Sequence, residues 1–357
     1  MASDTIDLRE FIRRLGGAGH LTRITRPVDW RFEVGQITRE TRTPLLFENV
    51  KDYPGHCVFT NGLSDIACIG TALGLDPGAD RKQMMSELKR RVSTPVKPVI
   101  VESSPALANV ESSPRLDLLK FPVPHWSDQE TARYIGTWHI NVTRDPQTGS
   151  RNVGVYRMAA LGPDRATVST SPNSHLSQHF AKAEKESLPL EMAVAIGVPE
   201  SVVMAAGASY PAGCDEYELA GALQGHPVAL IRCQTVRLEV PAHSEIVIEG
   251  ELRPCARVQD GPYFDYSGKP DINPNAFLFE ARRLTFRRNP IFRGASIGVA
   301  GAEDHQLFSV LAELGLVDFH GQRLKQSIQN ELLRRHMFRA FQWTGKLGGN
   351  MSWHRKV

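Results

Sequence analysis

Near the N-terminus the apolar positions Leu8, Phe11, Ile12 and Leu15 recur at helical spacing, and Asp7 followed three residues later by Glu10 supplies an acidic helix start. Shorter apolar runs follow. Leu45-Leu46-Phe47 and Cys57-Val58-Phe59 read as strands, residues 67–73 as a helix, and 95–101 as a proline-punctuated extended run. Together they predict a small α/β domain over residues 1–115. After the connection Phe121-Pro122-Val123-Pro124 the pattern changes to strands separated by tight turns. Residues 138–143, 152–160 and 167–170 form a candidate meander, with turns at Asp145-Pro146-Gln147-Thr148-Gly149 and Gly162-Pro163-Asp164. Helices at 176–185 and 216–223 and strands at 192–196, 228–233, 245–251 and 278–285 complete a β-rich central domain over 116–300. A partly closed barrel would bury these strands and leave loops at its rim for a ligand. Residues 301–357 hold helix-like runs with too little apolar mass for a domain of their own. The expected fold is thus mixed, α/β (α+β), without internal repeats.

Composition narrows the class. With 357 residues, 41% hydrophobic and 23% charged, the chain can bury the core of two or three ordinary globular domains. It has no apolar run approaching the roughly 20 residues that span a bilayer. Its first residues lack the basic and apolar regions of a signal peptide, so a cytoplasmic location is expected. Five scattered cysteines, never in a CxxC pair, read as reduced thiols and not as a disulfide framework or zinc knot. The formal charge is only +3, but from Gly321 onward there are eight Lys or Arg and a single acid, Glu331. Leu324, Ile328, Leu332, Met337 and Phe341 recur there at near-helical spacing, and no groove-reading motif accompanies the basic residues. The tail therefore reads as a solvated helix face or a subunit contact, not a nucleic-acid or membrane surface.

Three segments could carry chemistry. Arg151-Asn152-Val153-Gly154-Val155-Tyr156-Arg157 sets an amide and a guanidinium along one short strand, although such residues after a turn also serve as solvent-facing or turn-supporting groups. His175, in Pro172-Asn173-Ser174-His175-Leu176, and Glu216, in Cys214-Asp215-Glu216-Tyr217, would complete with Asn152 a mixed oxygen and nitrogen set suited to Mn2+ or Mg2+. Spacing alone does not establish such a site, because the three are far apart in sequence and a lone His before a helix is usually a capping or core residue. The third segment, Val258-Gln259-Asp260-Gly261-Pro262-Tyr263-Phe264-Asp265, reads as a loop with two carboxylates five residues apart, and Asp-Gly-Pro is also an ordinary turn sequence.

Taken together these segments resemble the UbiD-like decarboxylases, which use prenylated FMN. The similarity also runs through Leu8-Arg9-Glu10-Phe11, Pro44-Leu45-Leu46-Phe47-Glu48-Asn49-Val50, Tyr134-Ile135-Gly136-Thr137-Trp138 and Val240-Pro241-Ala242-His243-Ser244-Glu245, in collinear order over roughly the first 290 residues. The resemblance implies an N-terminal α/β domain, a central split β-barrel that binds the flavin, and a C-terminal element used in oligomer contacts, here a shortened helical segment. It implies that Asn152, His175 and Glu216 hold Mn2+ (or Mg2+) bridging to the cofactor phosphate, with K+ nearby. Val155, Tyr156, Arg157 and Ser174 are expected to join them around the cofactor. Arg157 falls on the family's active-site arginine, and Asp260 and Asp265 on its two acidic residues. Asp265, one methylene shorter than the family's usual Glu, is expected to deliver the proton that replaces CO2. The implied activity is non-oxidative, reversible decarboxylation of an α,β-unsaturated, aromatic or polyketide-type acid by a homodimer whose cofactor comes from a flavin prenyltransferase. The alternative is a cofactor-binding but catalytically impaired assembly subunit.

Overall fold

A computed structural model describes residues 5–210, 213–299 and 301–317. In chain order the elements are α1 (Leu8–Gly17), β1 (Thr22–Ile24), α2 (Glu33–Glu40), β2 (Leu45–Phe47), β3 (Cys57–Thr60), α3 (Ile66–Ala72), α4 (Arg81–Val92), β4 (Val99–Ile100), β5 (Asn109–Ser112), β6 (Tyr134–Gly136), β7 (His139–Arg144) and β8 (Arg151–Gly154). There follow β9 (Met158–Ala159), β10 (Arg165–Val168), α5 (His175–Lys185), β11 (Leu190–Ile196), α6 (Glu200–Ala206), α7 (Glu216–Gln224), β12 (Ala229–Arg232), β13 (Glu239–Pro241), β14 (Ile246–Phe264), β15 (Pro270–Phe286), β16 (Ile291–Arg293) and α8 (Glu303–Glu313).

The first helix forms as its pattern predicts. Asp7 accepts a hydrogen bond from the Glu10 N–H, and Leu8, Phe11, Ile12 and Leu15 are all buried. Arg9 clamps this helix to the root of β14 through two 2.8 Å bonds to the buried Glu245 carboxylate. The N-terminal sheet runs β1-β2-β3-β16, so its last strand is borrowed from far along the chain. The central sheet is antiparallel, in the order β10-β15-β14-β11-β7-β8 with β5 added on β15, and it curls into a half-barrel. Residues 246–252 of β14 are buried without interruption, which roots the long β14–β15 hairpin in the core. The basic tail after Gly321 lies outside the described residues.

Three departures from the sequence reading bear on function. The strand expected over 152–160 breaks into β8 and β9, because at Gly154 the chain turns and Tyr156 folds back over it. A Cβ on Gly154 would stand 2.6 Å from the Tyr156 ring, so a larger residue there would have to displace that ring. The loop expected around Asp260 is instead strand: β14 continues to Phe264, and the turn comes only at 265–269. Pro262 is tolerated there because the pairing shifts register between Asp260 and Tyr263, where no ladder donor is required. Helix α6 was not legible because all seven of its residues are buried, which erases the amphipathic period.

Candidate active site

Asn152 is buried on β8. Its neighbours on the strand tie it to the start of α7: Arg151 pairs with Asp215, the N-cap of that helix, and the Val153 N–H donates to Glu216 Oε2 at 3.0 Å. The start of α5 approaches from the other direction. Ser174 is its N-cap and His175 its first residue. The Tyr156 hydroxyl donates to Asn152 Oδ1 at 3.3 Å, and its ionisation is opposed by burial, eased by hydrogen bonding to Asn152, Leu176 and Ser174, and opposed further by the Glu216 charge. Tyr156 therefore stands where β8, α5 and α7 converge, with Asn152, Ser174 and Glu216 around it. Val155, at the break in the strand, leaves its side chain partly exposed.

Glu216 is buried, and loss of hydration pushes its carboxyl up to about 7 despite the Val153 N–H that favours the anion. A cation would restore the lost solvation. Farther along α5, His179 is held neutral: burial lowers its pKa to about 4, and its Nδ1 lies 3.0 Å from Thr143 Oγ1. By residue type, the amide oxygen of Asn152, the imidazole of His175 and the buried carboxylate of Glu216 are donors of the kind that suits Mn2+ or Mg2+. The N-termini of α5 and α7 add the partial positive charge that favours a phosphate.

A second cluster is built around Arg157, which the break after β8 carries toward the β14–β15 hairpin. Its Nε donates to Asp260 Oδ2 at 2.6 Å and its Nη1 to Asp271 Oδ2 at 2.8 Å. The remaining nitrogen, Nη2, is buried and makes no hydrogen bond. Asp260 has a wholly buried side chain and accepts from Thr167 Oγ1 at 2.7 Å through its other oxygen. The Arg157 guanidinium also lies 5.1 Å from the centre of the Tyr263 ring. Gly261, at φ +99°, lets β14 pass close to the backbone of Asp271, where a Cβ would come within 2.4 Å of its carbonyl oxygen. That close approach is what gathers the two acids on one arginine.

Asp265 sits in the turn beyond β14, with its Oδ1 accepting from the Ser267 N–H at 2.9 Å and from the Ser267 hydroxyl. The second carboxylate on Arg157 is Asp271, which sequence reasoning did not single out. Only the hairpin register, which sets Asp271 opposite Tyr263, could have identified it. Thr167 and Glu130, also absent from the sequence reading, complete the surroundings.

Residues 12–88 match the N-terminal domain, and residues 99–300 the Rift-related domain, of the 3-octaprenyl-4-hydroxybenzoate carboxy-lyase (UbiD) family. The chain belongs to the UbiD family of carboxy-lyases. It is 31% identical over 332 residues to pyrrole-2-carboxylic acid decarboxylase of Pseudomonas aeruginosa, a match covering 89% of this chain and 67% of that protein. An evolved dimeric form of the UbiD-class enzyme HmfF from Pelotomaculum thermopropionicum, solved in complex with prenylated FMN, superposes with a TM-score of 0.80 at 33% identity, over 87% of this chain and 71% of that one. Vanillic acid decarboxylase of Sedimentibacter hydroxybenzoicus in its closed form gives 0.81 at 29% identity, over 85% and 67%. The chain spans between 62% and 67% of the length of the curated relatives it matches. Among the described residues, no helix is long and apolar enough to cross a membrane.

Proposed function

We propose that this chain removes CO2, reversibly and without net oxidation, from an α,β-unsaturated, aromatic or polyketide-type carboxylic acid, with prenylated FMN and a divalent metal. The observation that carries this reading is Arg157 Nη2, a buried donor without a partner on a guanidinium whose other nitrogens are committed to Asp260 and Asp271. A substrate carboxylate is the acceptor that would complete it. Asp260 and Asp271 fix the guanidinium plane, so the carboxylate is oriented before reaction.

When bound, prenylated FMN supplies the electron sink that loss of CO2 requires. Asn152, His175 and Glu216 would hold Mn2+ or Mg2+, with K+ nearby, and Val155, Tyr156 and Ser174 would join them around the cofactor. That the relative HmfF was solved with prenylated FMN supports this assignment. Asp265 would return a proton to the carbon that loses CO2. A homodimer supplied with its cofactor by a flavin prenyltransferase completes the proposal.

Two variants test these roles. Glu216→Gln is expected to lower metal affinity by at least about 100-fold and to strip the flavin with it; metal analysis and absorbance of the purified protein read both, and unchanged metal content would remove Glu216 from the ligand set. Asp265→Asn is expected to reduce turnover by roughly 10²–10⁴-fold with flavin retained, whereas Asp265→Glu restores it. A fully active Asn variant would place the proton donor elsewhere. The turn that ties the Asp265 carboxylate to Ser267 favours a second reading, a subunit that binds cofactor without efficient turnover. Bound cofactor with no CO2 release from any acid would select it.

A further inference from the structure

Glu130 has no part in the roles assigned above, yet it is only 6% exposed and its charge is felt by the Arg157–Asp260 pair. It lies on a loop docked against β14. Thr131 Oγ1 donates to the Gly261 carbonyl at 3.0 Å. Glu130 Oε2 is buried with no hydrogen-bond partner.

The charges around this carboxyl come from several elements. Arg39 on α2 and Arg157 favour its ionisation and Asp260 opposes it. The hydroxyls of Tyr134 on β6 and Tyr263 on β14 feel its charge, and burial keeps both of them protonated. Asp128 bears on Arg39, and Asp304 on α8 bears on Tyr263. Arg39 is committed elsewhere, donating to the Trp126 carbonyl at 2.5 Å and to Ser296 Oγ at 3.2 Å. Ionised, Glu130 would add a further negative charge to those of Asp260 and Asp271, where an anionic substrate must enter.

We propose that Glu130 is held as the neutral acid and acts as a positioning residue, its proton keeping Arg157 Nη2 receptive to the substrate carboxylate. This role rests on the decarboxylase reading above. Burial is the dominant cause and pushes the carboxyl from 4.5 up to about 8. Because the folded pKa is raised, the stability linked to this proton is complete below about 4.5 and is lost as pH rises through about 8.

The test that does not depend on turnover is thermal unfolding of the full chain and of Glu130→Gln from pH 5 to pH 9, with infrared difference spectra of both. Since Gln cannot ionise, the variant is expected to gain in Tm relative to wild type steadily up to about pH 8, and across that range the wild type should lose one protonated-carboxyl band more than the variant, in which Glu216 and Asp304 still titrate. A flat Tm difference with no such extra band means that Glu130 is ionised throughout, and overturns the proposal even if the protein proves to be a decarboxylase. Glu130→Met, which also cannot ionise, serves if the Gln variant does not fold. In turnover, KM of the wild type should rise by up to about tenfold per pH unit above about 8 with kcat unchanged. A KM that follows the same course in Glu130→Gln would detach the residue from substrate binding.

Discussion

Arg157→Lys is expected to lower kcat/KM by about 10²–10³-fold, a loss of roughly 3–4 kcal/mol of transition-state stabilisation, while the protein stays folded and retains flavin. Lysine preserves the charge that Asp260 needs but not the planar fork that serves Asp260, Asp271 and a third acceptor at once. Steady-state kinetics with any acid the enzyme accepts will measure the effect, and activity within about threefold of wild type would remove the Nη2 contact from the mechanism. Arg157→Ala is a different experiment. It leaves the Asp260 carboxylate buried without its counter-charge, so activity and stability should fall together.

The second large effect concerns the fold. Arg293, on the strand that closes the N-terminal sheet, is 1% exposed and donates to Glu200 at 2.8 Å and to both oxygens of Glu303. Burial of all three groups is compensated by dense bonding. Trp138 Nε1 donates to Glu200 at 2.8 Å, and the N–H groups of Asn61 and Leu63 donate to Glu303 at 2.9 and 3.2 Å. The network joins β16, α6, α8 and the segment after β3. Arg293→Met would leave two carboxylates buried and uncompensated, and is expected to destabilise the protein by roughly 3–5 kcal/mol. Denaturant unfolding will measure it, and a loss below about 1 kcal/mol would mean that the network is not what binds these elements together.

How far the sequence carried depended on the range of the interactions involved. Leu8, Phe11, Ile12 and Leu15 announced α1 because a helical face is a local property. Helices α5 and α7 begin within a residue of the expected 176 and 216, where Ser174 and Asp215 cap them locally. The break between β8 and β9 was not, because it depends on Tyr156 lying over Gly154, which looks like any small residue in a strand. Asp260 and Arg157 emerged from a resemblance spread along the chain, and the structure joins them directly. Asp271 needed the register of a hairpin whose arms shift against one another several times. Glu130 needed tertiary burial, for which Asp128-Gln129-Glu130 gives no sign in a polar stretch of sequence.

The central claim is tested most directly by co-expressing the chain with a flavin prenyltransferase and measuring CO2 release from a panel of unsaturated and aromatic acids, with Arg157→Lys alongside. The expected result is bound prenylated FMN with a divalent metal, and CO2 release by the wild type from at least one acid that the lysine variant largely loses. A folded wild-type protein that retains neither flavin nor metal, and releases no CO2, would contradict the assignment of Asn152, His175, Glu216 and Arg157 to one active site.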